Sequence, residues 1–206
     1  MSVRIHRISL STNVERVALA AAAKGIAVEW VDHDPGDRAG LVELSGQDLV
    51  PVAEIEGEVI PGSMEIVHRL EGLQPEPALY PGADDNAARV AVFIEWFEYV
   101  WKRPPNEIEP LRASPEPNEQ LISELRERTH MTLAVFEGLL ARSDFLFCGA
   151  FGAADLCAFP FLKYAAVDPL PEDEEAFHHI LADCLRPAEA PRLLDWIARI
   201  DAMPRA

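Results

Sequence analysis

The stretch VRIHRISLSTNVERVALAAAAKGIAVEWVDHD, residues 3–34, predicts a strand, a helix and a second strand. Its first apolar run has strand character. The alanine-rich segment from Asn13 to Lys24 has helical spacing and ends at Gly25, a residue type that terminates helices. The segment IAVEWVDHD is typical of a strand that follows a tight connection. Together these elements predict a βαβ unit with parallel strands and a right-handed crossover.

A second group of elements follows this unit. The loop PGDRAGLVELSGQD has room for one short helix, and VPVAEIEGEVIPG, residues 50–62, indicates two strands joined by a turn at Glu56 and Gly57. The segment SMEIVHRLEGL begins with Ser63 and carries apolar residues on one face, which predicts a helix. The predicted order is therefore βαβ, a loop, then ββα.

The character of the sequence changes at Gln74. The segment QPEPALYPGADD is rich in proline and in small or acidic residues, and only amphipathic helices are predicted after it. We predict a first domain over residues 1–75, a linker over 76–84 and an all-helical domain over 85–206. The predicted helices cover residues 86–102, ended by Pro104 and Pro105, and residues 118–142, 153–166, 174–184 and 191–202.

Composition narrows the possible functions. The chain has 206 residues, 49% of them hydrophobic, and a formal net charge of −17. Such a charge disfavours nucleic acid and anionic membranes as partners. The sequence has no apolar run long enough to cross a bilayer and no signal-peptide pattern at its start, so we expect a cytoplasmic protein. Three cysteines, Cys148, Cys157 and Cys184, lack metal-ligand spacing and are expected to be buried free thiols, with no metal.

Three small polar residues, Ser11, Thr12 and Asn13, lie where the first predicted helix begins. Such side chains cap helices by accepting hydrogen bonds from first-turn N–H groups. A helix N-terminus also attracts anions and stabilises thiolates through its dipole and its unpaired N–H donors. Local sequence leaves both interpretations open.

The order of elements and four local segments resemble the cytosolic glutathione transferases. The segments are SLSTNVERVALAAAAKGI, VPVAEI, IPGSMEIVHRLE and FLFCGAFGAADLCAFPFL, which occur in family order and at family spacing. The resemblance implies an α+β fold in two domains. The first is a thioredoxin-like βαβ-ββα domain that binds glutathione, and the second is an all-α helical bundle.

The resemblance also implies residues that hold glutathione. Val50 and Pro51 correspond to the family's Val-cisPro motif, whose valine backbone pairs with the cysteinyl part of the tripeptide. Ser63 Oγ and the backbone N–H of Ser63 or Met64 correspond to groups that hold the γ-glutamyl carboxylate, although Ser63 also has the residue type of a helix cap. Gly62 replaces an acidic residue that usually precedes this serine.

Ser11 aligns with a family position that carries serine or cysteine. The resemblance implies that a serine there donates a hydrogen bond to the glutathione thiolate. Thr12 or Asn13 could share or take over this contact, or these side chains could serve only to cap the helix. No cysteine occurs among residues 1–147, so a mixed disulfide between glutathione and a protein cysteine at the N-terminus of the first helix is disfavoured. Asp155, three residues after Gly152, corresponds to a buried capping residue that supports folding rather than catalysis.

The resemblance implies a glutathione-dependent transferase or isomerase that activates the thiol for attack on a small electrophile. The alternative is a catalytically inactive binding or regulatory protein with the same fold. Trp96 and Tyr99 are candidates for an apolar substrate pocket, although core packing explains most of the surrounding aromatic stripe. The family also implies a homodimer, in which the first domain of one subunit contacts the helical domain of the other.

Overall fold

The computed structural model describes residues 2–82, 84–147, 149–171, 173 and 175–206, without the side chain of Asp84. The chain divides into two compact units. The first unit reaches Leu79 and also includes Met203–Ala206, and the second unit is Tyr80–Ala202. None of the helices formed by the described residues is both long and apolar enough to span a bilayer.

The first unit contains a four-stranded mixed sheet. Its strands are β1 (Val3–Arg7), β2 (Glu29–Asp32), β3 (Val52–Ile55) and β4 (Glu58–Pro61), in the spatial order β2-β1-β3-β4. Strand β1 is parallel to β2 and antiparallel to β3, and β4 is antiparallel to β3. The helices are α1 (Thr12–Lys24), α2 (Ala39–Ser45) and α3 (Ser63–Leu73). This arrangement confirms the predicted βαβ-ββα fold.

Burial explains why this order of elements is stable. Ile5 on β1 and Ile55 on β3 are fully buried, as is the apolar face of α3 that includes Val67. Helix α1 ends at Lys24 and is followed by Gly25, as predicted, and this glycine has φ 63°. Gly25 and the next residue, Ile26, donate backbone hydrogen bonds to Ala22 and Ala21, which satisfies carbonyl groups left unpaired at the helix end.

The second unit is helical, which confirms the predicted fold class. Its first helix, α4, is followed by a π-helical segment, Phe97–Trp101, and two short 3-10 turns occur later, at Leu140–Arg142 and Lys163–Ala165. The α-helices are α4 (Asp84–Trp96), α5 (Arg103–Arg112), α6 (Glu119–Met131), α7 (Leu133–Leu139), α8 (Ala153–Leu162), α9 (Ala176–Leu185) and α10 (Pro191–Asp201).

The structure differs from the predicted helices of this unit at two places. The helix predicted over residues 86–102 ends where expected, because the π-helical segment stops at Trp101, but helix α5 was not predicted. Pro104 and Pro105 lie in the first turn of α5, where a missing N–H removes no intrahelical hydrogen bond. The helix predicted over residues 118–142 is interrupted at Thr132. Its hydroxyl donates to the carbonyl oxygen of Thr129 at 2.6 Å and accepts from Trp101 Nε1 at 2.8 Å, in competition with regular helix formation.

The core of the second unit contains the residues predicted to be structural. Asp155 is buried and accepts hydrogen bonds from the backbone N–H of Gly152 and Leu146 and from Trp196 Nε1, at 3.0, 3.0 and 2.8 Å. Cys157 and Cys184 are buried free thiols, and burial raises the pKa of Cys184 to about 11. Cys148 lies outside the described residues.

The aromatic stripe of α4 is mainly core, as expected. Phe93 and Phe97 are buried, and the half-buried Trp96 packs against Phe93 and Phe136. Tyr99, in the π-helical segment, is 72% exposed. The two candidates for a substrate pocket therefore differ, because Trp96 is held by other rings while Tyr99 is open to solvent.

Candidate functional site

The beginning of α1 presents unpaired backbone donors. Ser11 is the N-cap residue, and its carbonyl oxygen accepts the first helical hydrogen bond, from Glu15 N–H at 3.0 Å. The N–H groups of residues 12–14 precede that bond and have no partner within the helix. The Ser11 side chain is half-buried and makes no capping hydrogen bond. The first turn of α1 therefore carries N–H donors without helical partners, and the Ser11 hydroxyl makes no capping hydrogen bond.

The residue before Ser11 has an unusual backbone conformation. Leu10 has φ 66°, in the left-handed region that residues other than glycine seldom adopt. Its side chain is 41% exposed. Ser11 N–H donates to Ile8 O at 3.4 Å across this tight turn. The turn connects β1 to α1 and sets the direction in which the chain enters the helix at Ser11.

The beginning of α3 differs from the capping arrangement that the residue type of Ser63 suggested. Ser63 is the first residue of the helix, whereas Gly62 is the N-cap residue. Gly62 has φ 92° and ψ 131°, a conformation that is accessible mainly to glycine and explains why a residue with a side chain is absent here. The first helical bond runs from Ile66 N–H to Gly62 O at 3.1 Å, so the N–H groups of Ser63 and Met64 precede it.

A buried arginine connects the N-termini of α1 and α3. Arg16 is fully buried, and its Nη1 donates to Asn13 Oδ1 and to Ser63 Oγ, both at 3.1 Å. Sequence reasoning did not identify Arg16 as part of the site. One feature of the sequence pointed to this role. Arg16 lies three residues after Asn13 on a helix made mostly of small and apolar residues, where a buried charge requires a polar partner.

The segment that contains Val50 and Pro51 is hydrogen-bonded to the residue that precedes α3. The peptide bond between these residues is cis, and Pro51 O accepts a hydrogen bond from Gly62 N–H at 3.2 Å. Val50 is half-buried and precedes the first paired residue of β3, Val52. Hydrogen bonds thus connect Pro51 to the start of α3, and Arg16 continues the connection from Ser63 to the start of α1.

The three candidates for thiol contact have different surroundings. Thr12 is buried, with 5% of its surface exposed, whereas Ser11 and Asn13 are half-buried. The amide oxygen of Asn13 is already engaged by Arg16. Within the described part of the chain, no group of three or more His, Cys, Asp or Glu side chains is arranged to hold a metal ion.

Family models match both halves of the chain. Residues 5–78 match the model described as the glutathione S-transferase N-terminal domain, and residues 119–199 match the model of the C-terminal domain. Together the two matches cover well over half of the sequence. A search among curated proteins finds no match.

Solved structures with similar folds include a theta class glutathione S-transferase from Xanthomonas axonopodis pv. citri with glutathione bound. Its TM-score is 0.76 at 21% identity, over 98% of this chain and 94% of that chain. A beta-etherase from Sphingobium sp. has a TM-score of 0.79 at 19% identity, over 99% and 96% of the two chains. A tau class glutathione S-transferase from mango, Mangifera indica, has a TM-score of 0.79 at 18% identity, over 98% and 89%.

At these identities the structural likeness establishes the fold. The family follows from the two sequence models, which match the first and second parts of the chain in their expected order. The chain belongs to the cytosolic glutathione transferase superfamily.

Proposed function

We propose that this protein is a glutathione-dependent transferase or isomerase in which Ser11 activates the glutathione thiol. The observation that carries the proposal is the double contact of Arg16 with Asn13 and Ser63. It fixes the N-termini of α1 and α3 beside each other, so that two sets of unpaired N–H groups are available to one anionic ligand.

The start of α3 is the proposed site for the γ-glutamyl carboxylate. Backbone N–H groups of Ser63 and Met64 point out of the helix N-terminus, where the dipole favours negative charge. Arg16 donates to Ser63 Oγ and therefore occupies one of its lone pairs. The proton of that hydroxyl is then directed elsewhere, and a ligand carboxylate is a suitable acceptor. Val50 is proposed to pair with the cysteinyl backbone as an added strand would.

The start of α1 is the proposed site for the thiol. Lowering a thiol pKa from about 8.5 to about 6.5 requires roughly 2.7 kcal/mol in favour of the thiolate. A hydrogen bond to a charged group contributes about 1.5 to 3 kcal/mol, and a helix N-terminus about 0.3 to 1 kcal/mol. Ser11 is the candidate we favour, because its hydroxyl makes no capping hydrogen bond and Thr12 is buried. Asn13 is the alternative donor through Nδ2, because Arg16 engages only its amide oxygen.

The proposed reaction uses glutathione itself as the nucleophile. Its thiolate forms a carbon–sulfur bond with a small electrophile, and either a leaving group departs with its electron pair or a proton is taken up. A thiol transfer through a protein thiolate at the helix mouth is disfavoured, because no cysteine occurs among residues 1–147. The activity is proposed to reside in a cytoplasmic homodimer.

Glutathione binding and turnover test this function together. We expect the protein to be retained on a glutathione resin, to lower the pKa of the bound thiol as followed by thiolate absorbance, and to conjugate at least one member of a panel that includes chlorodinitrobenzene. Binding with a lowered thiol pKa but no turnover across the panel would favour the catalytically inactive binding protein. Absence of glutathione binding would contradict the proposed function.

A further inference from the structure

The last residues of the chain pack against the helix that carries Ser11. Met203–Ala206 belongs to the first unit. Ala206 N–H donates to Ala18 O at 3.1 Å, and Trp30 Nε1 donates to Ala206 O at 3.1 Å. This short segment therefore connects α1 to β2 by hydrogen bonds from both sides.

Arg205 forms an ion pair with the first turn of α1. Its Nη2 donates to Glu15 Oε1 at 2.8 Å, and its Nη1 donates to Met203 O at 2.8 Å. The exposed fractions of the two side chains are 28% for Arg205 and 15% for Glu15. The pair is thus partly shielded from solvent, and the second hydrogen bond holds the guanidinium in a fixed direction.

The position of Glu15 gives this pair an electrostatic consequence. Glu15 follows Ser11 by one helical turn, and its N–H donates to Ser11 O. Helix side chains tilt toward the N-terminus, so an unneutralised carboxylate here opposes an anion held at the helix mouth. The field of the helix N-terminus, which favours the anion, would be partly cancelled.

Other charged side chains near α1 also have partners among the described residues. Arg16 contacts Asn13 and Ser63, and Lys24 pairs with Glu71 at the opposite end of the helix. On the neighbouring strands, Arg7 lies over the Trp30 ring and pairs with Asp32. Arg205 contacts the Glu15 carboxylate directly, at 2.8 Å.

We propose that Arg205 is a positioning residue that neutralises Glu15 and so keeps the pKa of glutathione bound at Ser11 low. This inference rests on the proposed function. Arg205 does not touch the thiol, and acts through the charge of Glu15 at the mouth of α1. The C-terminal segment thereby becomes part of the machinery that generates the thiolate.

Arg205→Gln tests the proposal through the pKa of the bound thiol. We expect this pKa to rise by about 0.5 unit, because the Glu15 carboxylate would no longer be offset by the guanidinium and would disfavour the nearby thiolate. Turnover should fall about threefold at pH values below the thiol pKa and recover at high pH. Arg205→Lys should keep the wild-type pKa, because the positive charge remains. The double variant Glu15→Gln with Arg205→Gln should return the pKa to the wild-type value.

The controls separate this role from a structural one. Arg199→Gln, which removes a guanidinium paired with Asp144 in the second unit, should leave the thiol pKa unchanged. An unchanged pKa in Arg205→Gln overturns the proposal, and so does a raised pKa that persists in the double variant. Wild-type protein that binds no glutathione overturns this inference and the proposed function together, whereas wild-type binding with a lowered pKa leaves only Arg205 in question.

Discussion

Lys24 and Glu71 form an ion pair that joins the last turn of α1 to the end of α3. The Lys24 side chain is fully buried, and its ammonium group also donates to the carbonyl oxygens of Pro75 and Pro77. The Glu71 carboxylate in turn accepts from Leu79 N–H, with 3.1 Å to each oxygen. One buried cation and its counter-ion therefore fix the proline-rich chain that follows α3.

Replacement of Lys24 should destabilise the protein strongly. Lys24→Met removes the cation and leaves two carbonyl groups and the Glu71 carboxylate without their main partner, so we expect a loss of about 3 kcal/mol in the free energy of unfolding. Urea unfolding measures this loss. Arg69→Met is the matched control, because its partner Glu56 is 54% exposed and such pairs contribute less than about 1 kcal/mol. Equal losses in the two variants would contradict the buried role of Lys24.

The sequence predicted the order of elements because their signals are local. The turn at Glu56 and Gly57 between β3 and β4 and the glycine after α1 depend only on neighbouring residues. The functions of Arg16 and Gly62 could not be predicted in the same way. The position of the Arg16 side chain depends on its hydrogen bond to Ser63, which is 47 residues away in the sequence. The preference for glycine at position 62 depends on its positive φ, in a segment whose N–H bonds to Pro51 O.

The boundaries of the second unit show a related limit. A pair of prolines is compatible both with the end of one helix and with the first turn of the next, and Pro104 and Pro105 lie where one helical segment has ended, at Trp101, and α5 has begun, at Arg103. The contact between Arg205 and Glu15 could not be predicted from the sequence either, because 190 residues separate them. Long-range pairs of this kind have no periodic signature in the sequence.

Ser11→Ala should reduce catalysis with little effect on folding. Loss of a hydrogen bond to the thiolate predicts a 10- to 150-fold fall in turnover, equivalent to about 1.5 to 3 kcal/mol. The free energy of unfolding should change by less than about 0.5 kcal/mol, because the Ser11 hydroxyl makes no capping hydrogen bond. Steady-state kinetics and the thiol pKa provide the measurements. A folded variant with unchanged turnover and pKa would exclude Ser11 and direct attention to Thr12 and Asn13.

Arg16→Met should weaken glutathione binding. The change leaves Ser63 Oγ and Asn13 Oδ1 without the donor that orients them, and we expect a loss of about tenfold or more in affinity, or about 1.4 kcal/mol. Asn13→Ala removes only one of the two contacts and should bind within about threefold of the wild type. Calorimetric titration with glutathione distinguishes the variants. Equal affinities for Arg16→Met and the wild type would separate Arg16 from ligand binding.

The titration of Asp155 should make the free energy of unfolding depend on pH. Burial raises the pKa of Asp155 to about 6, although its three hydrogen bonds from N–H groups oppose the rise. The folded state therefore holds this proton more tightly than the unfolded chain. The resulting stabilisation is fully present below about pH 4 and is lost as the pH rises through about 6.

Asp155→Asn removes this titration and provides the comparison. The free energy of unfolding of the wild type relative to the variant should increase by about 3 kcal/mol when the pH is lowered from about 7 to about 4. Trp196→Phe keeps an aromatic ring but removes one donor to Asp155, and should extend the pH-dependent range upward. Parallel pH profiles for the wild type and Asp155→Asn would show that this carboxyl group does not titrate there.

The protein is expected to form a homodimer in solution. A first unit of about 80 residues buries limited apolar surface by itself, and a two-fold contact with a second copy would bury more. Light scattering at micromolar concentration should therefore give about twice the monomer mass of 22.8 kDa. A single species at the monomer mass would contradict this expectation.

The order of the strands in the first unit has a consequence for solubility. Strands β4 and β2 form the two edges of the sheet, where unpaired backbone groups can recruit strands from other molecules. Strand β4 carries Glu58 at its start and Pro61, which lacks an N–H group, at its end. Strand β2 is bounded by Glu29 and Asp32. Charge and proline at these edges disfavour growth of the sheet into aggregates, so the protein should remain dispersed when concentrated.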